Sequence, residues 1–319
     1  MTPDISIIII NYNTCGLLDN CLQSIFDYSR DELEIIVVDN ASADHSVSMI
    51  KAKYPQVRLI ENHDNVGFAK ANNQGFREST GKYVMYLNSD TLVKPMALEK
   101  IKGFMDFHPE VDLMGPKLLN EDGSLQVSIA KLPNLLNSLG DLIIGFFHAP
   151  LLNNFTSFYD NYREAMGVGW ISGACVVARR DAIEKLGGWD EKFFMYAEDV
   201  LLGVRAHQIG LKVWYFPEAE IIHLRNKSSN NPQKRMVQLY EGRTKLRKMI
   251  FSPASFNIYL WVSLLIVFGR ASVYLTIYLW KNLVRKDSSF AQGKIDSYLS
   301  VVKLFLFNLS RGIKYPHMA

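Results

Sequence analysis

Two acidic residues stand where apolar runs end in the first third of the chain. Asp90 closes the segment LNSD, residues 87–90, and Asp39 follows the run IIVV, residues 35–38. Hard divalent cations such as Mg²⁺ and Mn²⁺ prefer oxygen ligands and are commonly held by one or two carboxylates together with substrate phosphates. Asp90 is therefore a candidate metal ligand, and Asp39 can accept hydrogen bonds from a ribose or a pyrimidine. An Asn-Ser-Asp turn without any ligand has the same composition.

A second acidic group stands later in the chain, where Glu198 and Asp199 follow the aromatic run FFMY, residues 193–196. Acidic residues at the start of a helix complement its dipole, which is a purely structural role. In a reaction centre, one carboxylate accepts the proton of an attacking hydroxyl while the other orients a neighbouring group. His223 closes a short apolar stretch and is either a metal ligand or a polar strand end.

Polar residues also follow the first apolar run and fill the segment NVGFAKANNQG, residues 65–75. The glycine near its start permits close backbone approach and its asparagines offer amide groups, which are features of a nucleotide pocket. An Asn- and Gly-rich stretch is also a common start of a capped helix, and Ser42 and Asp44 are interpreted as caps of the helix after Asp39. The candidates for the pocket are Tyr12, Asn13, Asn65, Gly67 and Asn72.

The elements that must position these residues follow from the apolar pattern. Short β-branched runs alternate with helix-like segments in the first third of the chain, which is typical of βαβ units and a mostly parallel sheet covered on both faces. In open α/β sheets the ligand lies beyond the carboxyl ends of the strands, so the polar strand ends predict where a nucleotide binds. The predicted strands span residues 5–10, 34–38, 57–60, 83–87, 169–178 and 212–217, and a helix is predicted between 199 and 209.

Eight motifs in a fixed order resemble family 2 glycosyltransferases with the GT-A fold, most of all their rhamnosyltransferase-like branch. The resemblance covers about residues 4–228 and is far more specific than any single motif. It implies an α/β fold with a Rossmann-like, mostly parallel sheet flanked by helices, and a catalytic domain over residues 1–228. The motifs are NYN at 11–13, VDNASAD at 38–44, NVGFAKANNQG at 65–75, LNSDT at 87–91, GPKLLNEDGSLQ at 115–126, WISGACVVARR at 170–180, GGWDEKFFMYAED at 187–199 and HLRNKS at 223–228.

The resemblance also assigns roles to individual residues. It implies that Asp90 carries Mg²⁺ or Mn²⁺, that His223 approaches the metal or the diphosphate, and that Asp199 is the general base beside Glu198. The residues implied in binding the donor, or in lining the space for the donor sugar and the acceptor, are Tyr12, Asp39, Asn65, Gly67, Trp170, Gly173 and Ala174.

The sequence departs from the family pattern at three places. Leu201 stands where relatives often carry a second acid two residues after the base. The stretch after the histidine, LRNK at residues 224–227, is not rich in glycine, and LNSD replaces the commoner LNPD. The first two departures concern the acceptor side and the closing loop rather than the base.

The function implied is inverting, metal-dependent transfer of a sugar from a nucleotide-diphosphate donor to a hydroxyl of a lipid-linked or polysaccharide acceptor. The branch suggests rhamnose from dTDP-rhamnose, and a UDP- or GDP-sugar is the alternative donor. A nucleotidyltransferase is disfavoured because NYNTC, residues 11–15, contains no glycine for a phosphate loop directly after the first strand. A catalytically silent sugar-nucleotide-binding or scaffold protein remains a separate alternative, which the intact acid pair disfavours.

Charge divides the chain into two regions. The net charge is +3, but residues 1–224 carry 19 Lys and Arg against 29 Asp and Glu, whereas residues 225–319 carry 16 against 3. The basic region also holds an uncharged run at 249–269, then Arg270, then a second uncharged run at 271–280. Basic and apolar residues together favour an anionic membrane surface over nucleic acid, so residues 229–319 are predicted to be a helical, membrane-associated extension.

The expected location is the cytoplasmic face of the cell membrane. The three cysteines form no close-spaced pair, and MTPDISIIII at residues 1–10 lacks the basic stretch that opens a secretory signal. Basic clusters flank the apolar runs on both sides, which favours in-plane or re-entrant helices. A true span, a soluble helical pack and a dimer face are the alternatives, and an oligomer is compatible with the sequence. The apolar stretch 135–152 is interpreted as a lid or an acceptor-side loop.

Overall fold

The computed structural model describes residues 3–28, 33–147, 159, 161–224, 232–284 and 287–310. The chain divides into two compact units, the first made of residues 1–132 and 158–228 and the second of residues 133–157 and 229–319. The predicted boundary after residue 228 placed 133–157 with the first region, whereas here they group with the second. The assignment of the two regions as domains stays a prediction.

Twelve strands and ten helices are formed by the described residues. The strands are β1 Ile5–Asn11, β2 Leu33–Asp39, β3 Arg58–Glu61, β4 Tyr83–Asn88, β5 Thr91–Val93, β6 Leu113–Leu119, β7 Leu125–Gln126, β8 Ile129–Ala130, β9 Met166–Gly167, β10 Trp170–Ile171, β11 Cys175–Arg179 and β12 Val213–His223. The helices are α1 Cys15–Tyr28, α2 Ser46–Lys53, α3 Phe68–Glu78, α4 Ala97–Phe107, α5 Leu135–Phe147, α6 Arg180–Leu186, α7 Glu198–Gln208, α8 Pro232–Ile250, α9 Pro253–Leu283 and α10 Ser289–Ser310.

The main sheet of the first unit is parallel in its first half and mixed beyond it. Its strand order is β3-β2-β1-β4-β11-β6-β12-β5. The first four of these strands are mutually parallel, as the alternation of apolar runs and helices predicts. β11 then runs antiparallel to both β4 and β6, while β12 is parallel to β6. The loop before β11 therefore lies at the same sheet edge as the carboxyl ends of β1, β2 and β4.

Both faces of the sheet are covered, which explains the continuous apolar runs of its inner strands. Successive side chains of a strand point to opposite faces. Ile7 and Ile9 of β1 accordingly belong to a buried cluster with side chains of α1 and α4. Ile8 points the other way, into a cluster with side chains of α6 and α7. Packing on both faces leaves the strand ends as the part of the sheet that can hold a ligand.

The second unit contains α5, α8, α9 and α10. Its core is built mainly from Phe256, Leu260 and Val267 of α9 together with Val301 and Phe305 of α10. The stretch interpreted as a lid or acceptor-side loop forms α5 as far as residue 147, and residues 148–152 lie outside the described residues. The basic cluster predicted after the second apolar run consists of Lys281, Arg285 and Lys286, of which Arg285 and Lys286 also lie outside the described residues.

Helix α9 is a single element of 31 residues, and Arg270 does not divide it. The Arg270 guanidinium donates a hydrogen bond to the hydroxyl of Tyr240, at 3.3 Å. Large apolar side chains along the rest of the helix are exposed; they include Ile258, Trp261, Leu265, Phe268, Leu275, Leu279, Trp280 and Leu283. Among the described residues this is the one helix long and apolar enough to cross a membrane.

Candidate active site

The polar strand ends predicted from the sequence share one edge of the sheet. Asn11 at the end of β1 is in register with Asp39 at the end of β2. On the other side of β1, Ile10 is in register with Asn88 at the end of β4, two residues before Asp90. Neighbouring parallel strands thus bring the candidates for nucleotide and metal binding to the same edge.

A line of hydrogen bonds crosses these strand ends. The amide nitrogen of Asn11 donates to Asp39 Oδ1 at 2.7 Å, and the hydroxyl of Thr14 donates to Asn11 Oδ1 at 2.6 Å. Thr14 Oγ1 also lies 2.9 Å from Ser89 Oγ. Because the single hydroxyl proton of Thr14 is used by Asn11, Ser89 is the donor in this last bond. Ser89, the serine of LNSD, therefore connects the loop after β1 to the turn that holds Asp90, which a proline at this position could not do.

Asp39 is already engaged within the protein. Its side chain is 2% exposed. Oδ1 accepts from Asn11 and, at 2.6 Å, from the Ser42 hydroxyl, while Oδ2 accepts from the Ser42 N–H at 2.9 Å. Since a carboxylate offers about four acceptor positions, roughly one remains, on Oδ2. Ser42 thus holds Asp39 and does not cap a helix, so its capping interpretation is wrong. Asp44 does accept from the Ser46 N–H at the start of α2, at 3.0 Å.

Tyr12 and Asn13 lie between these strand ends and solvent. The Tyr12 side chain is 46% exposed. Asn13 has a left-handed backbone, with φ of 55°, and its side-chain oxygen accepts from the Ala43 N–H at 2.7 Å. The loops after β1 and β2 are therefore joined to each other by hydrogen bonds, and Tyr12 is exposed in the first of them.

The start of α3 docks against the aromatic run that precedes the acid pair. The Phe68 N–H donates to the carbonyl oxygen of Phe194 at 2.8 Å. Gly67 has φ of 87°, and a Cβ added there would lie 2.7 Å from that same oxygen, so only glycine fits without a shift. Asn65 Oδ1 accepts from the Gly67 N–H at 3.0 Å. Gly67 and Asn65 therefore have a structural role, because they allow the start of α3 to pack against the Phe194 carbonyl.

The later asparagines of the same segment point into the protein. Asn72 is fully buried and its amide nitrogen donates to the Phe68 carbonyl of its own helix at 3.1 Å. Asn73 spans the backbone of Trp189, accepting from its N–H at 2.8 Å and donating to its carbonyl at 2.9 Å. A fully buried amide such as that of Asn72 reaches a nucleotide only after its neighbours move.

Asp90 and His223 meet at this edge. His223 ends β12 and pairs with Thr91 of β5, which places its ring over the turn that holds Asp90. The ring nitrogen Nε2 lies 3.2 Å from Asp90 Oδ1. The other ring nitrogen, Nδ1, lies 2.7 Å from Gln126 Oε1. Asp90 itself is 4% exposed, and its carbonyl oxygen accepts from the Leu224 N–H at 2.8 Å.

This pair of donors fits an octahedral cation. Adjacent ligands at about 2.1 Å from such an ion are about 3.0 Å apart, close to the separation of Nε2 and Oδ1. No group of three His, Cys, Asp or Glu side chains able to hold a metal occurs among the described residues. The protein would then supply two donors and leave other positions to water and phosphate oxygens, as is usual for Mg²⁺.

The loop between β10 and β11 contacts the acid pair through one residue and the end of β4 through the next. The Gly173 N–H donates to Asp199 Oδ2 at 3.0 Å, and the Val200 N–H donates to Oδ1 at 2.8 Å. Ala174, the next residue of the loop, accepts through its carbonyl from the Asn88 N–H at 3.0 Å. Asp199 is thus connected through residues 173–174 to the strand end that carries Asp90.

The carboxyl of Glu198 is buried, and its pKa is raised. Burial, with a smaller contribution from the charge of Asp199, raises the pKa of Glu198 to about 8 from its ordinary 4.5. Burial thus favours the protonated form of this carboxyl, and its Oε2 is buried without a hydrogen-bond partner among the described residues. Tyr196 and Ala197 just before it both have left-handed backbones, with φ of 71° and 73°. The assignment of Asp199 as the general base stays a prediction.

Sequence comparisons identify the family. The family described as Glycosyl transferase family 2 matches residues 6–187, more than half of the chain. The chain belongs to this family. It is 28% identical over 237 residues to the N-acetylglucosaminyl-diphospho-decaprenol L-rhamnosyltransferase of Mycobacterium tuberculosis, covering 70% of this chain and 76% of that protein. The predicted membership of the family, and its rhamnosyltransferase-like character, are confirmed.

Solved structures of glycosyltransferases share the fold. The mannosyltransferase PcManGT of Pyrobaculum calidifontis, solved in complex with GDP-Man and Mn²⁺, matches with a TM-score of 0.55 and 18% identity, over 97% of this chain and 88% of its own. S. aureus TarS 1-349 matches with a TM-score of 0.51 and 16% identity, over 99% and 93%. The predicted α/β GT-A fold is confirmed.

Two further predicted residues of this glycosyltransferase, Trp170 and Gly173, contact helix α7, which begins with the acid pair. Trp170 is half-buried in β10, and α7 packs so closely on it that a Cβ at Gly203 would lie 2.5 Å from the Trp170 Cβ. Gly173 approaches Asp199 with its N–H, and a Cβ there would lie 3.5 Å from the Asp199 Cβ. This is an ordinary van der Waals distance, so the approach of the loop before β11 to the candidate base does not by itself require glycine.

Sequence reasoning missed two contributors to this glycosyltransferase site. Gln126 contacts the His223 ring, and the Phe194 carbonyl receives the start of α3. A signal for Gln126 is present in the sequence, because polar residues alternate through NEDGSLQ, residues 120–126. The contact of the Phe194 carbonyl with α3 involves backbone atoms, so Gly67 is the one residue in the sequence whose type indicates it.

Proposed function

We propose that this glycosyltransferase moves a sugar from a nucleotide-diphosphate donor, in the first instance rhamnose from dTDP-rhamnose, to a hydroxyl of a lipid-linked acceptor. The reaction inverts the anomeric centre and depends on Mg²⁺ or Mn²⁺. The observation that carries the proposal is the arrangement around residues 173–174. Their backbone holds the carboxylate of Asp199 on one side and the strand end of Asp90 on the other.

Asp90 and His223 would hold the cation and, through it, the diphosphate. A divalent cation there neutralises the charge that develops on the leaving diphosphate. Asp39 keeps about one acceptor position for a ribose or base, and the exposed Tyr12 ring offers a flat apolar surface beside it. The neighbouring polar residues Asn13 and Asn65 would complete the wall of the nucleotide pocket.

Asp199 would accept the proton of the acceptor hydroxyl. The N–H groups of Gly173 and Val200 fix the orientation of its carboxylate and stabilise its charge. A single displacement by the deprotonated hydroxyl inverts the anomeric centre.

The acceptor and the location are proposed from the second unit together with the rhamnosyltransferase relative, whose name includes a diphospho-decaprenol carrier. The exposed apolar side chains of α9 suit contact with lipid, and Arg243 and Lys245 on α8 are exposed to anionic headgroups. Arg247 is not available to bind lipid headgroups, because its guanidinium donates to the Ser138 hydroxyl at 3.1 Å and lies over the Tyr259 ring. The protein would lie at the cytoplasmic face of the membrane.

An in-plane or re-entrant arrangement of α9 agrees best with its length and charge. At 1.5 Å per residue the helix is about 46 Å long, against about 30 Å for the apolar core of a bilayer. Arg270 lies near its middle, although the bond to Tyr240 reduces the cost of removing it from water. Resistance to carbonate extraction would favour a span instead.

A donor panel tests the proposed reaction. Purified protein is incubated with dTDP-rhamnose, UDP-sugars or GDP-sugars, Mg²⁺ or Mn²⁺, and a synthetic polyprenyl-diphospho-sugar, and transfer is followed by mass spectrometry. We expect transfer from dTDP-rhamnose that disappears in the Asp199→Asn variant. If transfer occurs only from a UDP- or GDP-sugar, that sugar nucleotide is the donor and dTDP-rhamnose is not. Donor binding without transfer or hydrolysis, over the whole panel, would favour the silent binding protein.

A further inference from the structure

The turn between β6 and β7 carries a motif that the proposed chemistry does not use. Four alternate residues of NEDGSLQ have polar side chains that contact one another: Asn120, Asp122, Ser124 and Gln126. Asn120 and Asp122 lie at the turn, and Gln126 is 2% exposed in β7. A buried polar side chain at the end of such a series needs a reason, and the side chain that it meets is His223.

The bonds of this series all point in one direction. The Ser124 hydroxyl donates to Asp122 Oδ1 at 2.6 Å, so its oxygen accepts from the amide nitrogen of Asn120 at 2.9 Å. Asn120 Oδ1 in turn accepts from the amide nitrogen of Gln126 at 2.8 Å. The series ends on a carboxylate, which can only accept, so every donor is oriented toward Asp122. Hydrogen bonds aligned in this way strengthen one another.

The orientation of the Gln126 amide is set by a second contact. Its nitrogen also donates to the backbone carbonyl of His223 at 3.0 Å. A carbonyl cannot donate, so the amide oxygen must be the atom that faces the His223 ring, 2.7 Å from Nδ1. An amide oxygen only accepts, and Nδ1 therefore carries a proton.

A proton on Nδ1 fixes what the opposite nitrogen can do. In the neutral ring Nε2 then has a lone pair, and this lone pair points at Asp90 Oδ1, 3.2 Å away. Two lone pairs that face each other at this distance can be shared by one cation, as at the adjacent positions of an octahedral ion. Metal-binding histidines commonly donate their other N–H to a polar partner in this manner.

We propose that Gln126, held by Asn120, Ser124 and Asp122, is a positioning residue that keeps the proton of His223 on Nδ1 and so leaves Nε2 free to bind the divalent cation beside Asp90. The inference rests on the proposed metal role of Asp90 and His223. Without the Gln126 oxygen, Asp90 would attract the proton to Nε2, where it blocks the lone pair.

The proton position is measured directly in the wild-type protein. Histidine labelled with ¹⁵N gives long-range ¹H–¹⁵N spectra that distinguish protonated from unprotonated ring nitrogens, and a His223→Gln variant assigns the signal. We expect a protonated Nδ1 in the absence of metal and with Mg²⁺. An unprotonated Nδ1 in the wild-type protein overturns the proposal, whether or not any Gln126 variant folds.

Metal affinity supplies the functional readout. Mn²⁺ binding is measured by electron paramagnetic resonance, with Mn²⁺ alone and with dTDP. Gln126→Met, which has no acceptor, should weaken binding by about 10–100-fold and move the proton to Nε2, whereas Gln126→Glu keeps an acceptor and should stay within a few-fold of wild type.

Two outcomes separate this inference from the proposed function. Equal losses in Gln126→Met and Gln126→Glu with Nδ1 protonated in both would indicate a merely structural role and overturn the positioning role alone. Wild-type affinity no tighter than that of Asp90→Ala would overturn both the metal site and the inference.

Discussion

Replacing Glu198 by glutamine should remove a pH-dependent loss of stability. Glu198 is 7% exposed, and burial together with the charge of Asp199 raises its pKa to about 8 from 4.5. Between these two values the folded state keeps a proton that the unfolded state has released. Stability is therefore highest below about pH 4.5 and falls as the pH rises through about 8. Glutamine has nearly the same shape and no proton to lose.

The size of the stability loss follows from the shift in the pKa of Glu198. One pKa unit corresponds to about 1.4 kcal/mol, so between pH 5 and pH 8 this carboxyl lowers the free energy of unfolding by roughly 3 kcal/mol. For a unit of about 200 residues, each kcal/mol changes Tm by about 2–4 °C. The difference in Tm between Glu198→Gln and wild type should therefore increase by roughly 6–12 °C from pH 5 to pH 8.

The assay compares wild type with Glu198→Gln by urea and thermal unfolding at both pH values, followed by circular dichroism. Subtracting the wild type at each pH removes the contributions of the other titrating groups. Glu184→Gln, an exposed carboxyl on α6, is the matched control and should show no change between the two pH values. A stability difference for Glu198→Gln that is the same at pH 5 and pH 8 would refute the reasoning.

Four further predictions concern the reaction, the fold and the membrane. Asp199→Asn should lower transfer by about 10²–10⁴-fold and leave donor binding, measured by calorimetry, nearly unchanged, because only basicity is lost. Asp90→Ala should lose both transfer and Mn²⁺-dependent donor binding, and excess chelator should abolish wild-type activity. Gly67→Ala should lower the free energy of unfolding by about 1–3 kcal/mol, because an added Cβ meets a backbone carbonyl at a positive φ. The double change Leu265→Gln and Phe268→Gln, on the exposed side of α9, should weaken flotation with anionic liposomes while leaving the unfolding midpoint within a few degrees.

Each of these predictions has an outcome that contradicts it. Transfer by Asp199→Asn within a few-fold of wild type would remove that residue as the base, and full activity in chelator would remove the metal. Unchanged stability of Gly67→Ala would show that the loop before α7 yields easily. Flotation that is the same for the double variant and wild type, at both low and high salt, would exclude α9 as the lipid-binding surface.

The sequence predicts the inner half of the sheet well, because these strands are buried on both faces and read as continuous apolar runs. The strand predicted at 5–10 is observed at Ile5–Asn11, and the strand predicted at 83–87 at Tyr83–Asn88. Once the strands are placed, their polar ends must share an edge. The direction of β11 is not predictable in the same way, since the pattern of one strand carries no information about the direction of its neighbours.

Side-chain partners distant in the chain account for most of what the sequence left open. The carboxylate of Asp39 is largely used by Ser42 and Asn11, although its type and position suggested that it was free for a ligand. Arg270 interrupts an apolar pattern in the sequence, yet the helix continues because arginine is a good helix former, and its guanidinium donates to Tyr240. The stretch at 225–227, where the family pattern is rich in glycine, lies outside the described residues.

The reversed direction of β11 bears on how such an enzyme can change its specificity. Apart from His223, the residues proposed to bind the nucleotide and the metal lie within the first ninety residues. The loop that contacts Asp199 lies more than eighty residues later and reaches the same edge because β11 runs antiparallel to β4. Substitutions between 127 and 169 therefore leave unchanged the residues proposed to bind the nucleotide and the metal, and those that hold His223. Chimeras that exchange this central stretch between relatives should alter which hydroxyl is glycosylated while retaining the donor sugar, so that the two preferences of the enzyme evolve as separable traits.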